Sequence, residues 1–267
     1  MRPSPALPFR LPATLATLAA LAAASLSPAS AAEPTEPSTT WSLGLGMANR
    51  QKPYTGIDRE TQVLPLLHFE NRYVRLLGPE LGIKLPEITL SPSQHLDFSL
   101  VAKYDGSGYK DDDADILEGM RERKSGFWAG AKVEWRNPLA EVSAEWLADA
   151  SGNSEGRRFS LAVEKSWRVS ERLTLTPRLR ANWQDENYAD YYFGVRPSEA
   201  RAGRPAYTAK AGINTELGLR SLYQLDKRHA LMLDLEVTSL SKEIRDSPLV
   251  DRSTENRVFF GYLYRFR

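Results

Sequence analysis

Apolar and polar residues alternate with a period of two in one segment of the chain after another. Between residues 173 and 183 one face would carry Leu173, Leu175, Leu179, Ala181 and Trp183, and the other Thr, Arg and Asn side chains. This alternation is typical of a β-strand whose two faces meet different surroundings. It recurs at 96–104, 127–135, 140–146, 159–167, 207–223, 231–237 and 258–266. So many amphipathic strands need an apolar exterior, which lipid supplies around a closed antiparallel β-barrel.

The connections between these strands alternate in length. Residues 136–138, 169–171 and 226–228 read as tight turns, whereas 105–126, 148–157, 184–206 and 241–255 are long and polar. Bacterial barrels have short turns on the periplasmic side and long loops outside, so the alternation of short and long connections indicates the direction of each strand. An even count then requires four strands in the irregular stretch 41–85, at 41–48, 62–70, 73–77 and 81–85, with Gly78-Pro79 as an outer turn. We predict an all-β, up-and-down transmembrane barrel of 12 strands, with 10 as the alternative.

Aromatic residues cluster where the strands would leave the membrane. Transmembrane barrels carry aromatic girdles at both interfaces, whereas a soluble β-sandwich would hold such residues only as ordinary strand ends. The periplasmic girdle would contain Trp135, Trp167, Tyr223 and Phe266, and the outer girdle Tyr104, Trp146 and Trp183. This placement favours the membrane barrel over the sandwich.

The N-terminus resembles a secretory signal. Arg2 and Arg10 precede an apolar run at 11–26, which at about 16 residues is too short to span a bilayer of about 30 Å as a helix. Ala-Ser-Ala at 29–31 and Ser-Ala-Ala at 30–32 both fit a cleavage site. We predict a cleaved signal peptide at 1–32 and one barrel domain at 33–267; an uncleaved anchor is the alternative.

Composition excludes several classes of protein. The chain has no cysteine, so disulfides, thiolate nucleophiles and Cys-ligated zinc are impossible. Lys and Arg number 35 against 34 Asp and Glu, which gives no electrostatic footprint for nucleic acid. The mean hydropathy of −0.44 argues against a helical membrane protein, because no later segment has enough consecutive apolar residues.

Candidate catalytic and metal-binding residues are few. His68, His95 and His229 lie far apart in sequence without metal-ligand spacing, and none has an evident nucleophile or acid partner. The acidic run at 111–115 could bind Ca²⁺ or bridge lipopolysaccharide through divalent ions, but it lacks the ligand spacing of an EF-hand, and a solvated loop is favoured. We therefore expect no cofactor, no metal and no enzymatic activity; the alternative is a surface hydrolase.

The predicted inward faces carry charges of both signs. In a barrel of this size facing charges can pair and fill much of the interior, which argues against a wide porin and leaves a narrow channel open. The predicted lumen-facing residues are Lys132, Glu134, Glu141, Glu145, Glu164, Arg178, Arg180, Lys210, Glu216, Arg220, Asp234 and Glu236.

A tyrosine-rich motif links the chain to a known family. The motif runs from Tyr188 to Val195 and is followed by Ser-Glu-Ala at 198–200. With Leu-Glu-Gly-Met at 117–120, Asp-Ser-Pro-Leu-Val at 246–250 and the closing aromatic strand at 260–266, it resembles the MipA/OmpV family of outer-membrane proteins over essentially the whole mature chain. The motif residues would pack over the barrel mouth or form a ligand-binding or adhesive loop, and we favour packing; they are Tyr188, Asp190, Tyr191, Tyr192, Gly194 and Glu199.

The resemblance implies a place and a role. It implies the outer membrane of a Gram-negative bacterium, in contact with membrane lipids and lipopolysaccharide. The name-giving member acts as a scaffold joining a lytic transglycosylase to a penicillin-binding protein, and other members are linked to permeability and adhesion. We therefore expect a scaffold for murein enzymes, with a narrow channel for small solutes or a permeability or adhesion factor as the alternative. The loop 86–94 and the periplasmic turns would make the contact, through Arg136, Asn137, Glu171, Arg172, Asp226, Lys227 and Arg228.

Overall fold

The computed structural model describes residues 39–57 and 59–266, and most of these residues lie in β-strands. The predicted signal peptide and the terminal Arg267 lie outside them. Two short helices, α1 (Glu186–Phe193) and α2 (Lys242–Arg245), lie in the connections. The strands are β1 (Thr40–Gln51), β2 (Arg59–Glu70), β3 (Val74–Leu77), β4 (Glu80–Lys84), β5 (Ile88–Ser91), β6 (Gln94–Asp105), β7 (Gly126–Arg136), β8 (Glu141–Asp149), β9 (Arg157–Glu164), β10 (Trp167–Arg168), β11 (Leu173–Gln184), β12 (Gly212–Gln224), β13 (His229–Ser239) and β14 (Thr254–Arg265).

The sheet closes on itself as an antiparallel barrel. β1 pairs with both β2 and β14, and β9 pairs with both β8 and β11, so the chain's first and last strands are neighbours. β5 continues the line of β4 along β6, and β10 continues β9 along β11, so fourteen segments of the described chain fill twelve positions. The prediction of twelve strands is confirmed, including the short β3–β4 hairpin that the even count required.

The register separates a lipid-facing surface from a lumen. Leu45 lies beside Pro65 and Tyr262 on the outward face, and the next position, Gly46, lies beside Leu64 and Gly261 on the inward face. Outward leucines are exposed to a degree unusual in a water-soluble protein, since they have no protein neighbours above them. The predicted girdle aromatics are exposed at the ends of their strands, with Trp167 at one end and Trp146 at the other.

Three parts of the sequence interpretation are wrong in detail. The alternation at 207–223 predicted one long strand, but β12 begins only at Gly212, because Tyr207 exchanges backbone hydrogen bonds with Val195 and Ala209 is fully buried among the long loops. Lys210 is therefore not a lumen residue but pairs with Glu186 at 2.6 Å on the outer surface.

The other two differences concern strand continuity. The strand expected at 159–167 breaks between β9 and β10, where Lys165 lies opposite Pro177 of β11, and proline has no N–H with which to continue the ladder. The loop expected at 86–94 contains β5, which forms a hairpin with β6.

Within the described residues, no helix is both long and apolar enough to cross a membrane.

Candidate functional site

The long loops fold into a packed layer over one mouth of the barrel. We call this layer the cap and define it as residues 106–125, 185–211 and 240–253, together with Tyr54. Its core is apolar and shielded from solvent, with Leu117, Ala209 and Leu249 fully buried. Aromatic contacts join the loops: the Tyr54 ring lies 4.9 Å from that of Tyr109 and stacks 5.6 Å from that of Phe193. Since long loops mark the outer side of such barrels, the cap closes the outer mouth.

The tyrosine-rich motif forms helix α1, which supplies the centre of the cap. Asp185 caps the helix N-terminus by accepting a hydrogen bond from the Tyr188 N–H at 2.9 Å. The helix ends at Gly194, whose N–H donates to the carbonyl of Asp190. Its buried face carries Tyr188 and Tyr192, so the structure packs these two tyrosines into the cap.

Gly156 sets how closely α1 approaches the barrel. A Cβ atom at this position would lie 2.8 to 2.9 Å from the Cβ, Cα and N atoms of Tyr188, and these atoms cannot move without shifting the helix. Beneath α1, the Tyr188 ring packs 5.5 Å from the buried indole of Trp128, and the Arg158 guanidinium lies 4.0 Å from the same indole. The helix is therefore seated directly on the wall of the barrel.

A buried ion pair joins two cap segments that are far apart in sequence. The Arg123 Nη2 donates to the Glu199 Oε2 at 2.9 Å, and both side chains are almost fully buried. The Glu199 carboxylate also accepts backbone N–H bonds from Arg121 at 3.1 Å and Arg196 at 3.2 Å. Burial opposes the charged carboxylate, but the hydrogen bonds from Arg123 and from the two backbone groups outweigh it and hold the pKa of Glu199 below its usual value.

Arg204 fastens the same region through backbone carbonyls. Its guanidinium is buried and donates to the carbonyl oxygens of Glu199, Ile116 and Glu118. Nothing in the sequence distinguishes this residue, because Gly203-Arg204-Pro205 reads as an ordinary polar turn. The backbone amides of the loops could have been paired in many ways, and only the folded cap brings these three carbonyls together.

Below the cap, an ion network runs along the inner wall from β11 to β14. Arg178 of β11 is buried and binds three carboxylates: Glu216 at 2.9 Å, Asp234 at 2.8 Å and Glu236 at 2.8 Å. Arg257 also binds Glu236, at 2.6 Å. Arg180 and Arg220 extend the network through Glu216 and Asp234. Inward-facing charges of opposite sign are therefore paired on this part of the wall, as the sequence predicts.

The lumen also contains cavities. A polar cavity of about 420 Å³ lies between the ion network and the cap, where Arg158 pairs with Asp105 at 2.5 Å and Arg50 pairs with Glu255 at 3.3 Å. A charged cavity of about 510 Å³ lies against β4, β6 and β7. A third, of about 220 Å³ and largely apolar, lies against β12 to β14 and reaches the turn at 226–229.

The predicted partner-binding residues lie on three turns along one side of the periplasmic rim. The turns follow one another around the barrel between β7 and β8, β10 and β11, and β12 and β13. Asn137 and Asp226 shape their own turns, because each accepts hydrogen bonds from two following backbone N–H groups through its Oδ1 atom. The remaining predicted residues are exposed: Arg136, Glu171, Arg172, Lys227 and Arg228.

His68 and His229 both line the largely apolar cavity, whereas His95 lies on β6 and is not among its lining residues. His68 lies 3.5 Å from Glu70, His95 lies 3.5 Å from Thr89, and the His229 Nδ1 contacts the Tyr262 hydroxyl at 2.5 Å. Across residues 39–57 and 59–266, no group of three His, Cys, Asp or Glu side chains has an arrangement suited to a metal ion.

Comparison with known proteins places the chain in a family. The family model described as "MltA-interacting protein MipA" matches residues 43–266. The chain belongs to the MipA family. The chain is similar to the outer membrane protein YiaT of Escherichia coli K12, with 30% identity over 228 residues, covering 84% of this chain and 90% of that protein. The MltA-interacting protein of the same strain is 26% identical over 231 residues, covering 85% and 90%.

Members of the MipA family are named as outer-membrane or interacting proteins rather than as enzymes, and this chain is an outer-membrane barrel of that family. OmpV of Vibrio cholerae is 27% identical over 162 residues, covering 60% of this chain and 62% of that protein. Among solved structures, an outer membrane channel from Pseudomonas putida F1 is similar to 91% of this chain and 100% of its own, with 13% identity and a TM-score of 0.45.

Proposed function

We propose that this MipA-family barrel is a scaffold that binds a periplasmic murein enzyme, rather than a wide channel. The observation that carries the proposal is the packing of the outer mouth and of one side of the lumen: the cap covers the mouth, and below it the ion network centred on Arg178 occupies the space beside β11 to β14. Salt-bridged side chains inside a low-dielectric barrel are costly to separate, so the lumen does not readily open for general solutes. The periplasmic rim is then the surface available for a partner.

The chemistry of the rim fits a protein contact of moderate strength. Neighbouring turns of the periplasmic rim are two strand positions apart, so the distance between them is about 10 Å at ordinary strand spacing. Leu139 is 83% exposed at the tip of the first turn and Val169 is 60% exposed in the second. Charged residues of both signs, such as Glu171 and Lys227, surround these apolar tips. Exposed apolar anchors within a polar rim are typical of transient interfaces, and exposed charges make the association salt-sensitive.

The relatives give this proposal its partner class. The name of one relative states that it interacts with MltA, and the family resemblance implies a lytic transglycosylase and a penicillin-binding protein as partners. We extend this class of partner to the present chain. We further propose that lipopolysaccharide packs against the outer half of the lipid-facing wall, where the outer leaflet lies.

Binding to a purified lytic transglycosylase of the same organism tests the scaffold. The mature protein is refolded in lipid nanodiscs, immobilised, and titrated with the enzyme at low and at high salt. Lys227→Glu with Arg228→Glu on the rim should weaken binding about tenfold. Lys110→Glu with Arg121→Glu on the exposed outer surface makes the same charge change and should leave binding unaltered.

The competing function is a narrow channel, which the two charged cavities in the lumen favour. Single-channel recording in planar bilayers measures it on the same preparation. Steady conductance by the wild-type protein, together with no binding of the transglycosylase or of a penicillin-binding protein, would replace the scaffold with the channel.

A further inference from the structure

The wall of the barrel is incomplete beside β2. β2 pairs with β1 along its whole length, but its other edge pairs with β3 only at residues 68–70. The last bond on this edge is donated by the Gly78 N–H to the Leu67 carbonyl at 3.0 Å. Above it, within residues 39–57 and 59–266, the backbone groups of Thr61, Val63 and Pro65 that point to this edge have no backbone partner. The short β3–β4 hairpin therefore leaves a lateral gap.

Pro65 lies in this gap. Residues two apart in a strand direct their backbone groups to the same side. The backbone groups of Pro65 and Val63 therefore point to the same edge as those of Leu67, above the bond with Gly78, and so into the gap. Proline contributes no N–H there, which reduces the unpaired donors of the edge and disfavours the addition of another strand. This feature argues against a second copy or a partner strand completing the sheet. It leaves the gap as an opening toward the membrane.

The apolar cavity of about 220 Å³ extends from the periplasmic rim to the lower end of this gap. Its lining includes Leu66, Leu77 and Gly78, so it reaches the last paired residues before the gap begins. Deeper in the lumen it is lined by Leu222, Met232 and Leu263, which face inward on β12, β13 and β14. An apolar cavity in the lumen of a barrel is unexpected, because inward positions are normally polar.

Cationic side chains surround the periplasmic end of the same cavity. Its lining includes Arg75, Lys227, Arg228 and Arg265, with Asp226 as the acidic residue among them. The Asp226 Oδ1 is occupied by the backbone N–H groups of its own turn. No described carboxylate pairs with Arg75, Lys227 or Arg265, whereas Arg220, higher in the cavity, is bound to Asp234 at 3.2 Å. The lining of the mouth thus carries more cationic than acidic side chains, which favours an anion there.

We propose that this cavity binds a single-chain amphiphile with an anionic head. The acyl chain would lie against Leu66, Leu222 and Met232, and the head, a carboxylate or a phosphate, would lie among Arg75, Lys227 and Arg265. A chain longer than the cavity would continue through the gap above Leu67 into the bilayer. The proposal goes beyond the scaffold, because it uses the inside of the barrel wall and needs no protein partner.

Calorimetric titration of the mature protein in phosphatidylcholine nanodiscs tests the site, with empty nanodiscs subtracted to remove simple partitioning. The probes are dodecanoate, dodecyl phosphate and dodecyltrimethylammonium. Dodecanoate and dodecyl phosphate should bind saturably with one site per barrel, and the cationic probe at least tenfold more weakly. Comparing the two anions distinguishes a fatty acid from a phosphate-headed lipid as the ligand type. Heat signals equal to those of empty nanodiscs, or equal binding of the cation, would overturn the proposal.

Two pairs of variants separate the cavity from the rest of the lumen. Met232→Asp places a negative charge in the apolar part and should weaken anion binding at least tenfold, whereas Asn182→Asp adds the same charge to the polar cavity near the cap and should not. Arg265→Gln should weaken binding severalfold, and Arg172→Gln, on a turn that does not line the cavity, should leave it unchanged. Because Met232→Asp could fail to fold, Arg265→Gln supplies an independent measurement; wild-type affinity in a folded Arg265→Gln barrel and in a folded Met232→Asp barrel would refute the site.

Discussion

Arg178 and Asp234 form a bidentate ion pair inside the barrel, with the Nη1 and Nη2 atoms donating to the two carboxylate oxygens at 2.8 and 2.9 Å. They belong to β11 and β13, so the pair reaches across β12. On β12, the Arg178 guanidinium takes the place of a side chain at Gly218, where an added Cβ would lie 2.6 Å from the Arg178 Nε. One guanidinium therefore ties three neighbouring strands together.

Removing this guanidinium should destabilise the barrel strongly. Arg178→Met would leave the carboxylates of Glu216 and Asp234 close together with less positive charge, and breaking a buried ion pair typically costs about 3 to 5 kcal/mol. Urea unfolding in lipid vesicles, followed by heat-modifiable gel mobility, measures the free energy. Arg168→Met, at an exposed position on β10, should change it by less than about 0.5 kcal/mol. Equal effects of the two substitutions would show that the network contributes no stability.

A charge on the lipid-facing wall should be costly. Leu217 is 64% exposed at the middle of β12 and faces outward beside Leu179 and Val237. Leu217→Arg should cost about 2 to 4 kcal/mol of folding free energy if this position lies near the bilayer midplane. The matched change Leu139→Arg, in a periplasmic turn, should be nearly neutral. A mild effect at Leu217 would mean that the assigned face or membrane depth is incorrect.

The cap should loosen in acid. The pKa of Glu199 is lowered in the folded state, so this carboxylate stabilises the cap above its usual pKa of about 4.3, and the stabilisation is lost as the pH falls through the folded value. Hydrogen exchange of residues 115–125 and 186–204, corrected for the intrinsic effect of pH, should accelerate below about pH 4.

Glu199→Gln provides the matched test of this pH dependence. The variant should already exchange faster at neutral pH and show little further change in acid, since the titrating group is gone. Glu122→Gln, at an exposed position in the same loop, should retain the wild-type profile. An acid transition that persists unchanged in Glu199→Gln would assign the loosening to another group.

A larger residue under α1 should lift the helix. Gly156→Val would place side-chain atoms against the Tyr188 backbone, so α1 cannot remain seated on the wall. We expect faster hydrogen exchange in α1 and a higher single-channel conductance than in the wild type. Gly106→Val is the control, because a Cβ there meets nothing within 4 Å. Unchanged exchange in α1 would show that the neighbouring loops absorb the added volume.

The residue pattern predicted the barrel and favoured twelve strands over ten, and the pairing of the strands confirms twelve. A strand exposes alternate residues to opposite faces, so the pattern of residues such as Leu179 and Arg180 fixes which side meets lipid, whatever the distant contacts are. The asymmetry between tight turns and long loops then required the short β3–β4 hairpin, which local alternation alone did not reveal. The same local reasoning failed at Ala209 and Lys210, where an alternating segment is held out of the sheet by the cap.

The contents of the lumen and the packing of the cap depend on contacts between distant parts of the chain, which the residue pattern does not predict. Arg204 reads as a loop residue, and its buried role depends on carbonyl groups more than eighty residues earlier in the chain. The apolar cavity depends on Leu66, Leu222 and Leu263, which come from three separate strands and meet only because the sheet closes. The gap beside β2 likewise follows from the register of β3 against residues 68–70. Side-chain periodicity indicates whether each face of a strand meets lipid or the lumen. It carries no information about which distant residues share the lumen, because those residues meet only when the sheet closes.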